Sequence, residues 1–195
     1  VATYQSVTGS GLAGQQELIQ QSGNVLRGSK ADLDLYPHQI AFNILPHVDD
    51  FLSDGYTKEE QKMLNESRKI LHDENLAVSA TCVRVPVEIS HSESLQIEFE
   101  SNVTVNDAKR ALSEYDGVLV VDDPSRNEYP MPLTAAGGDD VLVGRIRKDT
   151  AHENGLALWL SCDNLRKGAA LNALQIMDEA LRRNALSPVS LRLIK

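Results

Sequence analysis

Two pairs of strand-like segments follow one another in this sequence with no helical stretch inside either pair: residues 77–87 and 94–99, then 141–147 and 156–161. Parallel neighbours need a long crossover between them, so segments spaced this closely pair antiparallel when they pair. A further strand pattern covers residues 117–121, and residues 1–7 alternate Val, Thr and Tyr with smaller residues. Helical patterns fall at 15–26, 57–72, 105–115 and from Asp163 or Asn164 to about residue 184. This order predicts an α+β fold, a mixed and mostly antiparallel sheet with its helices on one face. A doubly wound nucleotide-binding sheet is not what it describes.

The helix at 57–72 has the clearest start. Thr57 can cap it, and Glu60 stands three residues on, the spacing of a capping box. Residues 28–38 read as irregular, and the apolar run 40–45 is closed by Pro46. The polar loops at 122–127 and 134–140 are too short to divide domains, so residues 1–195 are expected to form one unit.

Charge narrows the partners. With 19 basic and 28 acidic residues the net charge is −9, a field that repels a phosphate backbone and argues against nucleic acid. An anionic small molecule stays possible, because a local cationic pocket overrules a negative mean. No apolar run approaches the roughly 20 residues of a membrane helix, and no leader-like stretch is present. Cys82 and Cys162 have no metal-ligand spacing, so reduced thiols in a cytoplasmic protein are the expectation, with no metal site.

Gly9-Ser10-Gly11-Leu12-Ala13-Gly14 fits the G-x-G-x-x-G pattern after a strand, with Asp32 and Asp34 downstream. A dinucleotide fingerprint would need a second buried strand after the helix, where residues 28–37 are polar. A flexible turn that lets backbone approach a ligand fits better.

Arg84 sits mid-strand among apolar neighbours, where a guanidinium needs an anion and its planar fork suits a carboxylate. A structural glutamate is the plainer partner. His91 follows and titrates near neutrality, either on the surface or as a proton carrier. Cys82 shares a strand face with Arg84, yet a core thiol is its preferred reading. Glu59 and Lys62 lie on one face of the 57–72 helix, as an exposed ion pair or as a pair of ligand-binding charges.

Residues 78–92, with Cys82, Arg84 and His91, match a signature of aspartate-semialdehyde dehydrogenases. Residues 3–7 with the glycine turn, 40–46, 55–60, 143–149 and 163–170 resemble the same family in the same order. The resemblance spans nearly the whole chain. It implies the carboxy-terminal domain of a glyceraldehyde-3-phosphate-dehydrogenase-like fold, with one sheet face forming a two-fold homodimer interface.

That family reduces aspartyl-4-phosphate to the semialdehyde with NADPH through a cysteine thioester, releasing phosphate. Carried onto this chain, the resemblance implies that Arg84 grips the substrate α-carboxylate, Glu59 meets its amino group and Lys62 binds phosphate. His91 is the implied general acid/base, and Gln5 the glutamine that orients the substrate. Thr8, Gly9 and Asn164 are the implied NADP contacts. The family's nucleotide-binding domain and its nucleophile, in an Asn-Cys-Ser/Thr context, lie ahead of the strand with which these residues start. The 195 residues are therefore expected to be a fragment, inactive alone. Two rival expectations are an N-acetylglutamyl-phosphate-reductase-like enzyme, which would not need Glu59 to bind an ammonium, and a non-catalytic dimerisation domain.

Overall fold

The computed structural model describes residues 1–185. Its elements are β1 (Ala2–Gln5), α1 (Gly11–Leu26), α2 (Lys58–Leu71), β2 (Thr81–Arg84), β3 (His91–Glu98), α3 (Val105–Ser113), β4 (Val118–Val120), α4 (Pro132–Ala135), β5 (Val141–Lys148), β6 (Gly155–Cys162) and α5 (Leu171–Arg182). The strands form one sheet in the order β2-β1-β3-β6-β5-β4. Both close sequence pairs enter it, although β2 and β3 are separated by β1. Three of its pairings are antiparallel, while β1 with β2 and β4 with β5 are parallel. The mixed, mostly antiparallel α+β reading holds.

Local chemistry placed several elements where expected. The Thr57 side chain accepts the Glu60 amide, and the Glu60 carboxylate accepts the Thr57 amide, so α2 opens on a full capping box. Other boundaries moved. β2 covers four residues and not 77–87, because β1, its hydrogen-bonding neighbour, is itself only four residues long. The glycine-rich stretch is no open turn: a 3-10 turn (Val7–Ser10) runs straight into α1 at Gly11, ahead of the expected start at residue 15.

One sheet face carries Leu95, Ile97, Val143, Leu158 and Leu160, and α3 covers it with Val105, Ala108 and Leu112. α2 lies over the same face further along, where Met63, Ser67 and Leu71 line a cleft with Glu93, Leu95 and Ile97. The opposite face presents Tyr4 packed against Trp159, with ring centres 5.1 Å apart and the planes tilted by 46°. Against it lie Pro130, whose carbonyl accepts the Trp159 indole N–H at 3.1 Å, and the short α4.

The irregular stretch after α1 is held by buried polar groups. Glu17 accepts the amides of Leu35 and Tyr36, and Gln21, wholly buried, accepts those of Ile40 and Ala41. This segment then reaches the outer edge of β2, where Leu45 pairs with Arg84. A bare sheet edge is thereby covered.

Candidate active site at the ends of the central strands

Register alone gathers three side chains. Gln5 lies beside Arg84 across the parallel β1–β2 pair, and the β1–β3 pairing, running through Tyr4 opposite Ser92, brings the start of β3 next to both. His91 is the first residue of β3. Side chains directly across a pairing share a face, so Gln5, Arg84 and His91 stand in a row on the face that α2 covers.

Arg84 is 6% exposed, and burial works against its charge. It forms no ion pair among the described residues; its Nη1 donates to the Ser6 carbonyl oxygen at 2.6 Å. The plainer sequence reading, a structural glutamate as partner, is thus not what the fold provides. The nearby carboxylate, Glu59, is turned elsewhere: it accepts from Gln5 Nε2 at 3.3 Å and from Lys62 Nζ at 2.9 Å. Glu59 raises the Lys62 pKa, and the Lys62 ammonium is half exposed to solvent. Thr3 fixes Gln5 from behind, donating its hydroxyl to Gln5 Oε1 at 2.9 Å.

His91 Nδ1 accepts the Ser6 amide N–H at 3.0 Å. Burial, and then the Arg84 charge, push its pKa from the ordinary 6.5 to about 4. The ring is therefore neutral at physiological pH. Gly9 lies over this pair: a Cβ there would come within 2.6 Å of Arg84 Nη1 and 3.2 Å of His91 Nε2. Only a residue without a side chain lets the backbone pack this closely on both groups.

Asn164 closes the group from the turn after β6. Its Oδ1 accepts the Ser90 amide at 2.9 Å and lies within hydrogen-bonding distance of the Ser6 and Thr8 hydroxyls. Asp163 accepts the Leu165 and Arg166 amides ahead of the following helical turn, whose N-cap is Leu165, so neither Asp163 nor Asn164 is the cap residue the sequence offered. A π-helical turn (Arg166–Ala170) then leads into α5.

All eight residues singled out in the sequence (Gln5, Thr8, Gly9, Glu59, Lys62, Arg84, His91 and Asn164) therefore meet at one end of the sheet. Sequence reasoning missed Ser6, Thr3 and Ser90. Ser6 acts largely through main-chain groups, and Ser90 through a left-handed φ of 81°, neither of which has a side-chain signature. Cys82 is wholly buried and Cys162 partly so, and burial pushes each thiol to about 11. Neither is a thiolate near neutral pH. No group of metal-ligating side chains occurs among the described residues, and none of their helices is long and apolar enough to cross a membrane.

Residues 1–167 match the family model described as semialdehyde dehydrogenase, dimerisation domain. The chain is 52% identical over 179 residues to the aspartate-semialdehyde dehydrogenase of Aquifex aeolicus, covering 91% of this chain and 53% of that protein. It is 50% identical to the enzyme of the same name from Legionella pneumophila, covering 98% and 55%. Its fold superposes on the crystal structure of aspartate semialdehyde dehydrogenase II from Vibrio cholerae, complexed with ASA, with a TM-score of 0.88, at 42% identity over 93% of this chain and 53% of that one. The chain spans about half the length of the curated relatives it matches.

Proposed function

This chain belongs to the semialdehyde dehydrogenase family through its dimerisation domain, and we propose from that premise that it is the substrate-binding and dimerisation half of an aspartate-semialdehyde dehydrogenase. The reaction is the NADPH-dependent reduction of aspartyl-4-phosphate to aspartate 4-semialdehyde, with release of phosphate. The observation that carries this reading is the buried Arg84 guanidinium, left without a carboxylate among the described residues while Glu59 and Lys62 stand nearby.

A phosphorylated amino acid has three charged ends, and each finds its complement. Arg84 has one nitrogen committed to Ser6, and its remaining N–H groups take the α-carboxylate. Glu59 accepts the ammonium, releasing its bond to Lys62, and Lys62 turns to the phosphate. Gln5, steadied by Thr3, orients the acyl group between them. An acyl phosphate is already activated, so fixed charges and placement supply most of what the protein must add.

The nucleophilic thiol is not one of this chain's two cysteines, because both stay protonated near neutral pH. We therefore expect these 195 residues alone to be inactive. Toward the cofactor the chain offers Thr8, Gly9 and Asn164: the Gly9 main chain packs directly on Arg84 and His91, and the Asn164 amide is engaged with Ser6, Thr8 and Ser90. When bound, the reduced nicotinamide supplies hydride to the acyl carbon. The open sheet face around Tyr4 and Trp159 is the proposed seat of a second copy.

The test is substrate choice by the enzyme containing this chain. Aspartate semialdehyde, phosphate and NADP should be turned over, and an N-acetylated glutamate semialdehyde should not, because Glu59 would face an uncharged amide. Equal turnover of the two would end the assignment.

A further inference from the structure

Thr3 and Gln5 stand two residues apart on β1 and so share the sheet face that α2 covers, and both are buried. A glutamine amide seats almost equally well either way round, because its oxygen and its nitrogen have nearly the same shape. Packing alone does not choose which atom a buried glutamine shows to a ligand, so its hydrogen bonds must.

Both ends of the Gln5 amide are engaged. Its Nε2 donates to Glu59 Oε1 at 3.3 Å, and its Oε1 accepts the Thr3 hydroxyl at 2.9 Å. The Thr3 hydroxyl is itself directed by the main chain. It accepts the Val83 N–H of β2 at 3.3 Å, and that hydrogen is fixed in its peptide plane. With one lone pair so occupied, the hydroxyl hydrogen is aimed at Gln5 Oε1. Turning the amide round would leave that hydrogen buried without an oxygen to accept it. The Cys82 thiol, opposite Thr3 across the β1–β2 pair, is a weak hydrogen-bonding group and does not replace that oxygen.

A ligand acts differently on the two anchors. Glu59 also holds Lys62 at 2.9 Å, and Lys62 is half exposed, so this end of the chain of bonds is open to solvent. A ligand ammonium placed on Glu59 competes with Gln5 for the same carboxylate. Thr3, at 2% exposure, lies behind Gln5 and out of a ligand's reach. Once Glu59 turns to a ligand, Thr3 is what keeps the amide from inverting.

We propose that Thr3 is a positioning residue that locks the Gln5 amide with its oxygen inward and its N–H groups outward, so that Gln5 meets the ligand as a hydrogen-bond donor only. The lock sorts the ends of the ligand. Outward N–H groups take ligand oxygens and leave the ammonium to Glu59. An inverted Gln5 would set a second acceptor beside Glu59 and turn those oxygens away. The orientation stands on the geometry of Thr3, Gln5 and Val83, and its kinetic consequence rests on the functional reading above.

Neutron diffraction from deuterium-exchanged crystals of the enzyme containing this chain shows the amide directly. Deuterium is expected on the Gln5 atom beside Glu59, and on Thr3 Oγ1 pointing at Gln5; deuterium on the amide atom beside Thr3 overturns the inference whatever the substrate. Thr3→Val keeps the shape and removes the hydroxyl. In that variant KM for aspartate semialdehyde should rise about tenfold, the size of one hydrogen bond, with kcat changed less. Thr3→Ser should stay near the native KM, and a loss equal to that of Thr3→Val would make shape the cause and overturn the role of the hydroxyl. Because Thr3 acts through Gln5, adding Thr3→Val to a Gln5→Met enzyme should raise KM no further. An equal rise in that background would reduce Thr3 to core structure and overturn the lock. Absence of any turnover in the native enzyme strikes the functional reading and leaves the neutron result to decide this one.

Discussion

Leu45 and Arg84 exchange both main-chain hydrogen bonds, Leu45 N–H to Arg84 O at 2.9 Å and Arg84 N–H to Leu45 O at 2.8 Å. The backbone that carries the guanidinium is therefore clamped between β1 on one side and the irregular segment on the other. Arg84 is held from both edges while its charge has no carboxylate partner among the described residues.

Arg84→Leu should remove an unpaired buried charge without breaking an ion pair, so the fold is expected to keep its melting temperature or gain slightly. Catalytic efficiency should fall at least about 100-fold, in line with the loss of a buried charge contact to a ligand. Near-normal kcat/KM in this variant would take the carboxylate away from Arg84.

Gly9→Ala places a methyl group 2.6 Å from Arg84 Nη1, at the far end of a flexible side chain. The fold should absorb it with little change in melting, and kcat/KM should drop by about tenfold as the guanidinium is pushed aside. A control at Gly11, where φ is 76° and the space is open, should do the reverse: cost about 1 kcal/mol of stability through strain and leave the guanidinium undisturbed.

The depressed pKa of His91 makes a stability prediction. The unfolded imidazole takes up a proton near 6.5 and the folded one only near 4, so the unfolded chain binds more protons between those values. The contribution of His91 is complete above about pH 6.5 and is lost as the pH falls toward 4. His91→Gln should flatten that part of a denaturation-against-pH curve. An unchanged slope would mean the ring is not held neutral.

Ser90 combines a φ of 81° with a buried hydroxyl that has no partner among the described residues. Both are costs that glycine does not have. Ser90→Gly is expected to raise stability by about 1 kcal/mol in chemical denaturation. Destabilisation instead would show that the hydroxyl has a partner in the folded protein.

The proposed two-fold contact places Tyr4, packed against Trp159, on the open sheet face. Sedimentation of the chain at micromolar concentration should give a dimer, and Tyr4→Asp a folded monomer. A native monomer under those conditions argues against this face as the interface.

Much of the architecture was legible because its causes are local. The capping box of α2 lies within four residues, and the apolar content of β5 and β6 marks them as strands from their own residues. What escaped was set by partners. Ile146 points into the α3-covered core although Arg145 and Arg147 flank it, because a bulge between Gly144 and Arg147 inserts an extra residue. The Asp122 carboxylate holds that bulge by accepting the Arg145 and Ile146 amides. Glu17 is buried, because the amides of Leu35 and Tyr36, far along the chain, satisfy its carboxylate.

The site divides the same way. Which residues carry charge, which can titrate and which lack a side chain were properties of the chain, and Arg84, His91, Glu59, Lys62 and Gly9 could be named from it. How they face one another was not, since Ser6 meets His91 and Asn164 only after β1, β3 and β6 have paired. Main-chain donors and acceptors are the same at every residue, so no sequence pattern marks the one amide that donates to His91 Nδ1. Only the closed sheet, by bringing distant backbones within 3 Å, decides that.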